Sequence, residues 1–268
     1  MTSPSTLAPV LFVSHGAPTF AMEPGTLGPL LTTLGQQLQG ITAVLVVSPH
    51  WQTRGVQVMA SAAPETVYDF GGFPKALYSL RYPAPGAPAI AAKVQRVLAD
   101  AGWPATLDAR RGLDHVAWVP LRHLLPAANI PVFQVSLPHG LDTAAALRLG
   151  QALAPLRAQG VLVLASGSTT HNLYEFRQAH SAAADYAVEF THWIRQAVTG
   201  NAVDQLVDYR RLAPHAERAH PSEEHYLPLL VAMGAHHADE APTVIDGGMT
   251  HGVLSMESYA WGLPTSTH

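Results

Sequence analysis

Short, unbroken apolar runs recur along this chain and limit its architecture more than any other feature. Residues 10–13, 43–47 and 161–165 are apolar throughout, and 56–60 and 132–135 are broken only by Gln57 and Gln134. A strand with one wet face alternates, whereas a strand covered on both faces does not. These runs therefore read as strands of a doubly covered sheet, with weaker strands near 243–245 and 253–256. Between them, residues 29–38, 87–101, 144–156 and 185–198 carry apolar side chains at helical spacing, as in Phe190, Trp193, Ile194 and Val198. Strands alternating with helices predict an α/β fold, a largely parallel central sheet flanked by helices on both faces. No repeat or linker divides the 268 residues, so residues 1–268 read as one catalytic-sized domain. The longest irregular stretch, 62–86, has the length of a wall or lid over a site.

Composition removes several function classes. Cysteine is absent, which excludes disulfides, thiolate metal ligands and a cysteine nucleophile. A net charge of −4 supplies no electrostatic footprint for nucleic acid. No apolar run approaches the roughly 20 residues that span a bilayer, and no basic, then apolar, leader opens the chain. A cytoplasmic protein with no membrane or nucleic-acid partner is expected. Histidine is the abundant functional residue: 15 copies, equal to lysine and arginine together.

Placement gives those histidines meaning. Open α/β sheets bind ligands beyond the carboxyl ends of their strands. His15 follows the run 10–13, His50 follows 43–47 and His171 follows 161–165, each after a short turn of small or polar residues. In a parallel sheet these turns share one edge, so three imidazoles converge. His139 follows the run 132–135 in the same manner. Taken singly, each reads as a surface-loop histidine; the shared placement argues otherwise. His225 sits in a segment whose Pro221 suits a first helical turn, which puts it early on a helix, and by itself it reads as structural. His115 stays ambiguous, and His236, His237, His251 and His268 read as solvated. The chain has no His-Glu-x-x-His, no Gly-x-Ser-x-Gly and no phosphate-binding glycine loop. Histidines alone leave open a zinc-dependent hydrolase and a non-catalytic metal-binding protein.

Seven short motifs occur in order: Ser14-His15-Gly16-Ala17-Pro18, Ser48-Pro49-His50-Trp51, Asp69-Phe70-Gly71-Gly72-Phe73-Pro74, Tyr82-Pro83-Ala84-Pro85-Gly86, Asp114-His115, Ser166-Gly167 with His171-Asn172-Leu173, and Glu224-His225-Tyr226-Leu227-Pro228. The set resembles the class III extradiol ring-cleavage dioxygenases, in their 4,5-DOPA branch, over nearly the whole chain. That resemblance implies a non-haem Fe(II) held by His15, His50 and His225, with zinc able to occupy the same ligands in a crystal. It implies His171 beside the metal as acid/base or a further ligand, and His115 facing the substrate. Glu223, Glu224 and His220 are alternative ligands to His225, because the wider class completes its triad with a carboxylate. The implied reactants are a catechol and O₂.

The chemistry needs these parts. Triplet O₂ reacts slowly with a closed-shell catechol, and a redox-active metal relays the electron between them. Three protein ligands on one face leave coordination positions for both reactants; zinc fits the imidazoles but cannot change oxidation state. A neutral imidazole suits the proton transfers, and His171 is the candidate. Trp51, Phe70 and Phe73 are candidate walls for the ring, with core packing as the competing role. Arg81 and Arg177 are the cations available to a substrate carboxylate.

Overall fold

The computed structural model describes residues 7–178 and 180–263; His268 lies outside them. Among these described residues there are ten strands: β1 (Val10–Ser14), β2 (Ala43–Thr53), β3 (Val56–Met59), β4 (Ala105–Asp108), β5 (Val132–Pro138), β6 (Val161–Gly167), β7 (Thr243–Ile245), β8 (Met249–Thr250), β9 (Leu254–Ser255) and β10 (Ser258–Trp261). Eight form one sheet in the order β4-β3-β5-β2-β6-β1-β10-β7, and β8 pairs with β9 as a separate hairpin. The centre of the sheet, β5-β2-β6-β1, is parallel. Its margins turn antiparallel, at β3 with β5 and at β10 with both β1 and β7. The five runs all contribute strands to this sheet, and β1, β6 and the first seven residues of β2 are buried throughout, as apolar strands between two helical layers must be.

Among the described residues there are nine α-helices: α1 (Leu27–Gln37), α2 (Pro88–Asp100), α3 (His115–Leu124), α4 (Thr143–Leu153), α5 (Asp185–Thr199), the short α6 (Val203–Val207), α7 (Tyr209–Leu212) and α8 (Ala216–Ala219), and α9 (Leu227–Ala235). Adjacent strand residues point to opposite faces, and β6 shows what covers each. Ser166 Oγ donates to the Val116 carbonyl of α3. A Cβ at Gly167 would meet the His225 carbonyl and Pro228 at the start of α9. Thus α3 and α9 lie on opposite faces. α9 is buried along its whole length and crosses α4 very closely. A Cβ at Gly234 would sit 2.0 Å from the Leu147 carbonyl oxygen, and one at Gly150 2.1 Å from that of Val231.

Several expectations are corrected. The run 253–256 forms only the two-residue β9, and the sheet strand that follows is β10, whose Ser-Tyr-Ala-Trp pattern is not a plain apolar run. β4 and α3 have no counterpart in the apolar pattern. His225 does not ride early on a helix from Pro221: residues 221–226 are bends and turns, and α9 begins at Leu227 with Pro228 in its first turn. His236 is not solvated but packs 5.2 Å from the Trp261 ring, and His251 stacks on Phe176 at 4.1 Å.

Candidate metal centre

Each element delivers its histidine for a local reason. β1 ends at Ser14, whose Oγ donates to the Glu257 carbonyl. The His15 amide then donates to the Gly167 carbonyl, and Gly16 turns the chain at φ 64°, where a Cβ would run into the Met256 side chain. β2 loses register with β5 between Ser48 and Gln52. Pro49, which has no N–H to give a ladder, stands inside that bulge, and His50 is carried out of the strand's alternation. His115 opens α3, whose cap is fastened to the sheet. Asp114 accepts from the Ala117 amide, from Ser48 Oγ on β2 at 2.9 Å and from Gln134 Nε2 on β5 at 2.9 Å. Arg111 pairs with the same carboxylate at 2.6 Å. His171 follows β6 and is held by its amide to the Ala219 carbonyl. The His225 carbonyl accepts from the Ser168 amide, which stitches the start of α9 to the end of β6.

The result is a cluster of imidazoles. The His15 ring centroid lies 5.3 Å from His225, 5.7 Å from His115, 6.1 Å from His50 and 6.4 Å from His171. His171 stacks on His225 at 3.5 Å with the planes 9° apart. His50 and His225 bring their Nε2 atoms to 3.2 Å.

Carboxylates decide which nitrogens carry protons, since they only accept hydrogen bonds. His50 donates from Nδ1 to Asp69 Oδ2 at 2.7 Å, and His115 from Nδ1 to Asp69 Oδ1 at 2.8 Å. His225 donates from Nδ1 to Glu224 Oε1 at 3.1 Å. That leaves lone pairs on the facing Nε2 atoms of His50 and His225, a repulsive arrangement unless a cation joins them. Their spacing is close to the roughly 3.0 Å between adjacent nitrogens around a metal with bonds of about 2.1 Å. Both ring nitrogens of His15 are buried without a hydrogen-bond partner; orphaned polar atoms of that kind cost about 1–3 kcal/mol each. The donor set therefore fits a transition metal. Carboxylates behind the ligating imidazoles are the usual means of fixing their tautomer and aim.

Burial, followed by repulsion from the neighbouring imidazoles, holds His15 and His225 well below the ordinary histidine range. Burial lowers His171 to about 4, against the opposing pull of Glu224. These rings are neutral at pH 7, which is the state that binds metal without proton competition. For His171 the value lies well under the near-neutral figure expected of an acid/base group, because the ring is largely buried against His225.

The remaining sequence candidates are distributed as follows. Glu223 pairs with Arg210. The His220 Nε2 donates to the Thr169 carbonyl at 2.9 Å, among Phe190, Tyr209 and Tyr226. Glu224 stands behind His225, at its Nδ1, and also accepts from Ser222. His139 is exposed beyond β5. Phe70 lies edge-on to His115 at 5.3 Å and to Phe73 at 5.6 Å. Trp51 is buried in the core with the Arg111 guanidinium 5.1 Å over its ring. Asp69 is the functional residue that reasoning on histidine placement missed. Its only trace in the sequence is that it opens the glycine- and phenylalanine-rich motif of the long irregular stretch.

The chain is similar to known proteins over nearly its whole length. Residues 12–258 match the family model described as the catalytic LigB subunit of aromatic ring-opening dioxygenase. A protein of Beta vulgaris named 4,5-DOPA dioxygenase extradiol is 38% identical over 265 residues, covering 97% of this chain and 98% of its own. A protein of the same name from Escherichia coli K12 is 38% identical, covering 96% of each. A crystal structure of an uncharacterized protein from Escherichia coli K12 superimposes with a TM-score of 0.79 at 32% identity, over 94% of this chain and 99% of that one.

Proposed function

The chain belongs to the LigB family of aromatic ring-opening dioxygenases and is an extradiol enzyme of that family, and from that premise we propose its metal, its ligands and its substrate. The metal is Fe(II), held by His15, His50 and His225, and the ring opened is that of a catechol related to DOPA. The observation that carries the ligand assignment is the pair of carboxylate-backed imidazoles with Nε2 atoms 3.2 Å apart, beside the partnerless nitrogens of His15. When bound, Fe(II) supplies one-electron chemistry that couples O₂ to the catechol.

The chain's own residues do the rest. His171, stacked on His225 and neutral at pH 7, is the imidazole placed to accept a hydroxyl proton of the catechol and to return it later in the cycle. His115 faces the substrate from the N-terminus of α3. Phe70, with Phe73 behind it, closes one side of the ring-binding space. The buried placement of His15, His115 and His225 keeps bulk water from these groups. Trp51, the residue after His50, is buried in the core. The rival readings left by histidines alone, a zinc hydrolase and a non-catalytic metal binder, have no support among the relatives. A cytoplasmic location completes the proposal, checked by cell fractionation.

The assignment is tested by metal content and product mass. His15→Ala, His50→Ala and His225→Ala each lose stoichiometric iron, and the wild-type product exceeds the mass of its catechol by one O₂. Full iron occupancy in any of the three variants removes that residue from the ligand set. A product without added oxygen overturns the reaction.

A further inference from the structure

One carboxylate serves two imidazoles that arrive from different elements. Asp69 Oδ2 accepts from His50 Nδ1 at 2.7 Å. Asp69 Oδ1 accepts from His115 Nδ1 at 2.8 Å and from the His115 amide at 2.9 Å. His50 stands in the bulge of β2 and His115 on the first turn of α3, with ring centroids 4.7 Å apart and planes at 78°. Nothing in either element sets which nitrogen of each ring carries the proton; the carboxylate between them does.

We propose that Asp69 is a positioning residue that fixes His50 and His115 together in the Nδ1–H tautomer and turns both Nε2 lone pairs toward the reaction centre. The inference rests on the reading of His50 as a metal ligand and His115 as the imidazole facing the substrate. Free imidazole side chains favour the opposite tautomer, with the proton on Nε2; a hydrogen bond at the other nitrogen is what reverses the choice. In the favoured free form, His50 would present an N–H to the metal and could not ligate. His115 would present a donor to the catechol. With Asp69 in place, His115 presents an acceptor, so a catechol hydroxyl donates to it. One residue thus sets a coordination bond and the direction of a substrate hydrogen bond at once.

One further observation agrees. Asp69 immediately precedes Phe70, whose ring lies edge-on to His115. The irregular segment therefore brings the ring wall and the orienting carboxylate to the site as a unit.

The test reads tautomers directly. Long-range ¹H–¹⁵N spectra of the metal-free protein, with His50 and His115 resonances assigned by their loss in His50→Gln and His115→Gln, show Nδ1–H for both rings. In Asp69→Ala both rings revert to Nε2–H. In Asp69→Asn, which retains one carbonyl acceptor and the shape of the loop, at least one ring reverts. Zn(II) affinity falls ten- to hundredfold in Asp69→Ala, the usual scale for losing the group behind a metal-binding histidine, while His115→Ala binds Zn(II) like the wild type. Tautomers unchanged in both Asp69 variants overturn the proposal, as does wild-type Zn(II) affinity in Asp69→Ala. A wild-type protein that shows the tautomers but binds no metal contradicts the metal-centre reading instead.

Discussion

A buried imidazole with no partner at either nitrogen, as at His15, destabilises a fold unless something positive joins it. The same burial makes the metal-free protein acid-sensitive. Burial lowers His15 and His225 strongly, His171 to about 4 and His220 to about 3, whereas the unfolded chain titrates these groups near 6.5. Between those values the unfolded state binds more protons, so stability is complete above about pH 6.5 and declines as pH falls toward 4. Each such histidine contributes at most about 1.4 kcal/mol of loss per pH unit. Urea midpoints of the metal-free protein should drop steeply from pH 7 to pH 5, and a flat profile contradicts the neutral, buried assignment. His171→Ala should retain metal but lose turnover by about 10²-fold or more, the scale of a lost acid/base group; unchanged turnover removes it from the proton transfers.

At the scale of elements, what positions the site is the fastening of helices to the sheet. Asp114→Ala removes the α3 cap and strands Ser48, Gln134 and Arg111. A loss of about 1–3 kcal/mol is expected in denaturant unfolding, with turnover falling further because His115 is the next residue. Gly234→Ala forces a Cβ onto the Leu147 carbonyl and should cost about 1–3 kcal/mol as overpacking at the α4–α9 crossing; wild-type stability would mean the helices part freely there. The parallel centre and its histidine-bearing ends were legible because continuous burial writes itself as continuous apolar sequence. His15, His50 and His171 could be placed at one edge from that pattern alone. β10 was not, since Ser258 is buried through hydrogen bonding to β1, not through apolarity. The orienting roles of Asp69 and Asp114 were hidden for a related reason: a carboxylate's work is done by partners distant in the chain, and periodicity carries no record of them.

The whole molecule joins these pieces by wrapping both helical layers around one sheet and leaving the carboxyl ends of β1, β2 and β6 to meet. No helix among the described residues is long and apolar enough to cross a membrane. Because the metal binds the folded arrangement, it should stabilise the whole chain by mass action, about 2.7 kcal/mol at a hundredfold excess over Kd. Thermal midpoints should rise with Fe(II) or Zn(II) and fall back with chelator; a metal-insensitive midpoint argues against a preformed centre. The most direct test of the account follows oxygen. Protein reconstituted anaerobically with Fe(II) and then given O₂ and a panel of catechols should consume one O₂ per ring opened and form a yellow product, while the Zn(II)-loaded protein consumes none. Iron-loaded protein that takes up no O₂ with any catechol, or zinc-loaded protein that turns over without it, would contradict the account.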